Sequence, residues 1–419
     1  MNSKNTRKLI TNIGALLQVE QNVWVEGKDL DVVPHIYDAY LLIEGEFIKD
    51  YGSISSCPRE YDELIDAKGG WVLPTFCDSH THIVFAGSRE NEYVQRILGA
   101  SYEEIAAKGG GILNSAKWLQ QASEEELLLG AFARAQEVIS YGTGAIEIKS
   151  GYGLTVESEL KMLRVIQRLK SLLPIPVKAT FLGAHAIPIE YQTDRAGYIS
   201  LIINEMLPRV AEERLADYCD VFCDKGFFTP QETELILEAA WKYGLKPKIH
   251  ANELDFSGGV QVGVKMQALS VDHLECSGQE EIDILKGSST IPVFLPGTSF
   301  FLNIPYAPAK KFQEAGLGFA LASDYNPGSS PSGNMKFIQT LACLYMHITP
   351  EAALNATTIN GAYAMEVASE LGSISRGKMA NLILTKPIPS LAYMSYAYTQ
   401  NIIMHVFLKG EIFVPQAVG

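Results

Sequence analysis

Two histidines two residues apart, His80 and His82, follow an apolar run from Trp71 to Phe76. If that run is a β-strand, its side chains alternate faces, so both imidazoles point the same way. Two imidazoles on one face at a strand end can share one metal ion. Single residues of ligand type recur after later apolar runs: His250 after Leu245–Ile249, His273 after Ala268–Asp272, and Asp324 after Leu317–Ser323. Three of these histidines and the aspartate, gathered in this way, make a metal site with room for a water, whose pKa would fall toward about 7. Asp324 either ligates the ion and takes the water's proton or caps a turn, because Ser323-Asp324-Tyr325-Asn326-Pro327-Gly328 is also turn chemistry.

The elements that must bring these residues together follow a rhythm. Residues 1–70 read as short strands (Lys8–Ile13, Asn22–Glu26, Ala39–Glu44, Phe47–Tyr51) punctuated by Gly27, Gly45 and Gly52. From Trp71 the pattern becomes strand, loop, helix. Strands are predicted at Val72–Cys77, Ala145–Lys149, Val177–Leu182, Tyr218–Cys223, Lys246–Ile249, Ala268–Asp272, Ile291–Leu295 and Leu317–Ala322. Helices are predicted between them, among them Glu124–Tyr141, Glu157–Leu173 and Pro230–Tyr243, the last with Thr229 as N-cap and proline in first position. Asn334–Met346 and Thr349–Ala356 read as helices, and Gly372–Gly377, Asn381–Thr385 and Ile402–Lys409 as strands. The class is α/β: a (β/α)8 TIM-like barrel over 71–374, with a small β-sandwich-like domain built from both chain ends, 1–70 plus 375–419. Such a barrel takes about 250 residues and bears its active site on the loops after the strands, where every candidate ligand lies. A doubly wound sheet would instead gather its ligands at one crevice.

Composition narrows the partners. The 419-residue chain has a formal net charge of −14 and no cluster of Lys and Arg, which argues against nucleic acid and anionic membranes. Lys4, Arg7 and Lys8 precede Leu9–Leu17, but Thr11, Asn12 and Gly14 interrupt that run, so a first strand is expected rather than a signal peptide. No apolar run reaches the roughly 18 residues needed to span a bilayer. Six scattered cysteines form no disulfide framework, which points to a reducing cytoplasm. Cys219 and Cys223 lie in a stretch that reads as a buried strand rather than a thiolate metal pair.

The order of H-x-H after strand one, His after strands five and six and Asp after strand eight resembles the amidohydrolase superfamily. More specific segments resemble its imidazolonepropionase family: Asp78-Ser79-His80-Thr81-His82, Phe85-Ala86-Gly87-Ser88-Arg89, Gly109-Gly110-Gly111-Ile112, Lys149-Ser150-Gly151-Tyr152-Gly153-Leu154, Phe181-Leu182-Gly183-Ala184-His185 and Ala322-Ser323-Asp324-Tyr325-Asn326-Pro327-Gly328-Ser329. The similarity runs nearly the whole chain. Asn252 and Asn381 stand where Asp is usual, and Ile112-Leu113-Asn114-Ser115 where a Thr-rich stretch is expected.

The resemblance implies hydrolysis of the cyclic amide of 4-imidazolone-5-propanoate, a small molecule, to N-formimidoyl-L-glutamate. It implies His80, His82, His250 and Asp324 as ligands of one zinc or iron ion per chain, and Glu253, His273 and Asp324 as catalytic groups. His273 would face the developing oxyanion and Glu253 would hold a ring N–H and shuttle a proton. Arg89 would pair with the propanoate, with Tyr152, His185, Glu253, Asn326, Gly328 and Ser329 as further substrate contacts. Lys225, after Asp224, sits past the position a bridging carboxylated lysine would take, so one metal is expected rather than two. A homodimer is expected. The rival is a deaminase on the same metal set, which would have no use for Arg89.

Overall fold

The computed structural model describes residues 6–100 and 110–416; Lys4 and Gly109, named above, lie outside them. The chain begins with strands β1 (Arg7–Leu17), β2 (His35–Glu44), β3 (Phe47–Ser53), β4 (Glu63–Asp66) and β5 (Trp71–Pro74). A parallel run of eight follows: β6 (Phe76–Asp78), β7 (Thr143–Lys149), β8 (Val177–Ala184), β9 (Tyr218–Cys223), β10 (Lys246–Ala251), β11 (Ser270–His273), β12 (Ile291–Phe294) and β13 (Ala320–Leu321), each paired to the next in chain order. The ring closes just beyond the strand ends. His82 N donates to Tyr325 O at 2.9 Å and Asp324 N to His80 O at 3.0 Å. The fold is therefore a nearly closed TIM-like barrel, and the contacts that close it come from the loops that bear the candidate ligands.

Helices pack around the barrel with their starts fixed by side chains. Glu124–Ser140 opens on a capping box: Glu126 N donates to Ser123 Oγ at 3.2 Å, and Ser123 N donates to the Glu126 carboxylate at 2.8 Å. Thr229 and Glu232 repeat the motif at Pro230–Lys242. The apolar stripe of Val156–Leu172, including Leu160, Leu163 and Ile166, is buried against the barrel.

Strands β14 (Leu382–Thr385), β15 (Ile403–Leu408) and β16 (Glu411–Ile412) return to the start of the chain. They complete a separate sheet in the order β16-β15-β14-β5-β1-β2-β3, with β4 paired to β1. Lys8 Nζ crosses the sheet to Gly410 O at 3.0 Å, and its charge pairs with Glu411.

Several elements differ from the sequence expectation. The apolar run taken as one barrel strand, Val72–Cys77, serves two sheets. Trp71–Pro74 pairs with β1 and β14, Thr75 N donates to Asn381 O, and only Phe76–Asp78 enters the barrel. Continuous hydrophobicity marks burial and cannot show that the neighbours change. Asn22–Glu26 is no strand. Val25 N donates to the side chain of Asn360 at 3.0 Å, and Val25 O accepts from the same amide at 2.8 Å, so a side chain replaces a strand neighbour. Leu317–Ala322 contracts to β13 because Leu317 O accepts from Gly27 N instead of pairing with β12. Gly372–Gly377 forms turns in which Ile374 alone is bridged, to Val19.

Asn360 is fully buried and also donates to Phe319 O at 2.9 Å. Asn360→Ala strands three backbone groups in the interior. At about 1–3 kcal/mol for an unsatisfied buried group, a total loss of roughly 2–5 kcal/mol is expected, read as a lower midpoint in urea unfolding. A shift under about 0.5 kcal/mol would show that water takes over the amide's role.

Candidate active site

His80 and His82 leave β6 on the same side, and their Nε2 atoms lie 3.3 Å apart. Asp324 Oδ1 is 3.5 Å from His80 Nε2 and 3.4 Å from His82 Nε2. His250, near the end of β10, adds a third imidazole: ligand atoms of His80, His82 and His250 lie within 4.8 Å of one another, and all three residues are buried. Burial, then the charge of Lys149, drives the His80 pKa well below its ordinary value; burial, then neighbouring histidines, does the same to His82. Neutral imidazole is the form that ligates a metal. Two lone pairs and a carboxylate oxygen facing one point, on rings kept neutral, suit a divalent cation.

The inner groups that aim these rings were not foreseen. His80 Nδ1 donates to Asp272 Oδ2 at 2.6 Å, which turns Nε2 toward the cluster. His250 Nδ1 lies 3.0 Å from Asp220 Oδ2, and His250 N donates to Asp220 Oδ1 at 3.0 Å. Lys149 Nζ sits between these carboxylates, 2.8 Å from Asp220 and 3.5 Å from Asp272, and donates to Glu147 at 2.7 Å. Lys248 pairs with the other oxygen of Glu147. Lys149, Lys248, Glu147, Asp220 and Asp272 are wholly buried inside the barrel. Burial opposes the Lys149 ammonium, but Asp220, Glu147 and Asp272 outweigh it and hold its pKa above the ordinary value.

A second acid–base group lies beside the metal ligands. His273 Nδ1 is 3.7 Å from Glu253 Oε2 and 3.5 Å from Glu275 Oε2, and Ser299 Oγ donates to Glu275 at 3.2 Å. Burial raises the Glu253 carboxyl pKa; burial alone would lower that of His273, but Glu253 and Glu275 raise it. These carboxylates favour the charged form of His273. Its backbone has φ 84° and the next residue, Leu274, has φ 67°; Asn252 and Asp324 are also left-handed, at 57° and 51°. Asn and Asp adopt this region readily, whereas two consecutive such residues with larger side chains store strain at the point where His273 must turn inward.

These groups open into a cavity of ≈ 330 Å³. His82, His250, His273, Asp324, Glu253, Arg89, Tyr152, His185, Asn326, Gly328 and Ser329 all line it; His80 sits behind them. Arg96, Phe222, Phe227 and Leu254 line it too, with no signal in the sequence to single them out. Tyr152 rides on a loop wrapped around the buried Glu159, whose carboxylate accepts from the backbone N of Gly151, Gly153 and Leu154 at 2.7–3.1 Å. His185 Nδ1 is 3.0 Å from Gly151 O, and a Cβ on Gly151 would come within 2.8 Å of that nitrogen. Asn326 turns its amide inward: Oδ1 accepts from Gly328 N and Ser329 N at 2.8 Å, while Nδ2 donates to Asp324 O at 2.7 Å. It shapes the loop that presents Gly328 and Ser329.

Residues 273–413 match the amidohydrolase family. The chain is 57% identical over 409 residues to the imidazolonepropionase of Flavobacterium psychrophilum, covering 97% of this chain and 100% of that one. It is 55% identical over 407 residues to the imidazolonepropionase of Christiangramia forsetii, covering 96% and 99%. Solved structures share the fold at much lower identity. An atrazine chlorohydrolase from Arthrobacter aurescens complexed with zinc superposes with a TM-score of 0.72 at 14% identity, covering 97% of this chain and 95% of that one. An adenosine deaminase from Xanthomonas campestris with bound zinc gives 0.70 at 14%, covering 97% and 92%.

Asp272→Asn replaces the acceptor that fixes the His80 tautomer. Metal affinity is expected to fall by about 10–100-fold, the usual scale for a lost outer-shell partner. Titrating metal into the stripped protein against a chromophoric chelator measures it; unchanged affinity would mean that the imidazole is oriented by packing alone.

Proposed function

The chain belongs to the imidazolonepropionase family, and we infer that the site described above opens the ring of 4-imidazolone-5-propanoate with water, giving N-formimidoyl-L-glutamate in histidine degradation. The enzyme is a metal-dependent hydrolase of a cyclic amide C–N bond. The observation that carries the assignment of roles is the placement of Arg89 on the same cavity as the histidine cluster. A metal centre serves any member of the superfamily, whereas a buried guanidinium fits a substrate with a carboxylate tail.

His80, His82, His250 and Asp324 would hold one zinc or iron ion. Such an ion acidifies a water and polarises a carbonyl when bound. A single ion agrees with Lys225, which is exposed and pairs with Asp255 at 3.0 Å instead of reaching the cluster. Asp324 accepts a proton from the attacking water, and Thr298 Oγ1 holds its Oδ2 at 2.6 Å. As water adds to the ring carbonyl, charge grows on its oxygen, and the protonated His273 donates to it. Glu253, raised in pKa by burial, holds the ring N–H and passes a proton to the nitrogen as the C–N bond breaks. Arg89 pairs with the propanoate. Tyr152 and His185 bound one side of the ring, and Asn326, Gly328 and Ser329 bound the other.

We also propose that residues 1–70 with 375–419 form one domain and 71–374 the other, supported by the sheet that joins β1–β5 to β14–β16. We propose that the protein works as a cytoplasmic homodimer; its six cysteines are free, and no helix among the described residues is long and apolar enough to cross a membrane.

The test follows imidazolone absorbance and metal content on one sample. About one ion per chain and loss of imidazolone without ammonia release are expected; ammonia release with the ring intact would transfer the protein to the deaminases. Arg89→Ala should lower kcat/KM by about tenfold to a few thousandfold, from roughly 2–5 kcal/mol for a partly desolvated charge pair. Metal content should stay the same. Arg89→Lys should recover only part of the loss, since an ammonium cannot form the planar fork. Full activity in Arg89→Ala would mean that the tail is read elsewhere.

A further inference from the structure

Arg89 is held from behind. Glu92, one turn along the helix Glu90–Ile97, is 5% exposed, and its Oε2 accepts from Arg89 Nε at 2.8 Å and Nη2 at 2.6 Å. The same carboxylate accepts from Asn114 Nδ2 at 3.1 Å and from Gly111 N at 3.2 Å. Four donors thus converge on a group that can only accept. Arg89 Nη1, in contrast, has no acceptor among the described residues. It lies against Gly328 on the cavity wall, so close that a Cβ there would be 1.9 Å from it. Gly328 is held in turn, since its carbonyl accepts from Arg96 Nη2 at 3.3 Å.

We propose that Glu92 is a positioning residue for substrate selection: it grips Arg89 by one edge, leaves Nη1 turned to the cavity, and so sets the preference for rings that bear a short carboxylate tail. This rests on the reading of Arg89 given above. A pair that merely neutralised the arginine would engage the outer fork of Nη1 and Nη2. Glu92 instead takes Nε and Nη2 with one oxygen, and through its other oxygen ties the arginine to Asn114 in the first turn of helix Ile112–Gln121. Glutamine at position 92 cannot substitute, because in either flip its NH2 would face donors. The guanidinium would then be free to rotate, and tail recognition would weaken while the metal and the Glu253–His273 pair stay in place.

The test compares competitive inhibition by 3-(imidazol-4-yl)propanoate with that by its uncharged propanamide, so that selectivity is read without turnover. Wild type should prefer the propanoate. E92Q should shrink that preference by about tenfold or more, the scale of a charged hydrogen bond. KM for the imidazolone should rise by more than kcat falls. E92D keeps the charge but retracts it, and should give an intermediate preference. Circular dichroism verifies folding, and if E92Q does not fold, E92D decides. A wild-type preference retained in E92Q, or in E92D when E92Q fails to fold, overturns the proposal; if R89A abolishes the preference in the same series, the arginine reading survives. No preference in wild type overturns both.

Discussion

Charge balance inside the barrel is the constraint on which the site depends. A barrel interior is ordinarily filled by branched apolar side chains. Here Lys149 and Lys248 face Glu147, Asp220 and Asp272, all without solvent. Removing one partner from such a set leaves an uncompensated buried charge, worth about 3–5 kcal/mol of lost stability. The arrangement earns that risk through what leans on it: Asp272 and Asp220 are the carboxylates that aim His80 and His250. Lys149 joins the two, standing 2.8 Å from Asp220 and 3.5 Å from Asp272.

Above that layer, electrostatics divides the histidines into two kinds. His80, His82 and His185 are held neutral by burial, the last pushed down to about 3. His273 is held charged, because Glu253 and Glu275 stand beside it. One small volume thus offers lone pairs at one wall and a cationic donor at the other. Ring opening of a cyclic amide needs both: a place for an ion to acidify water, and a donor for the oxygen on which charge accumulates.

Much of this was legible in the sequence because of where it sits. Residues of ligand type recur at strand ends with a period that one chain displays on its own, so His80, His82, His250, His273 and Asp324 could be gathered before any coordinates, while the resemblance alone separated His273 from the candidate metal ligands. The inner carboxylates could not. Asp272 meets His80 across 192 residues, Lys149 meets Asp220 across 71, and Lys248 meets Glu147 across 101. A lysine or glutamate in a strand reads as an outward position unless its partner is known. The same limit explains Asn22–Glu26, where β-branched and aromatic residues favour a strand, but the hydrogen bonds go to Asn360. Arg89 is legible through its motif, whereas nothing in the sequence singles out Glu92, since a glutamate near a helix start has an ordinary explanation.

The run from Trp71 to Asp78 sets an order of events during synthesis. β5 lies between β1, made before it, and β14, which is made after residue 381. A ribosome that has delivered the whole barrel has still left one edge of β5 unpaired, two residues ahead of the strand that leads into His80. The pairing of β5 with β14 is thus of very high sequence separation, which makes it late and slow to form. A chain interrupted before residue 382 would carry His80 and His82 just beyond a strand that still lacks one neighbour, so the segment that leads into the centre is completed only when β14 is made.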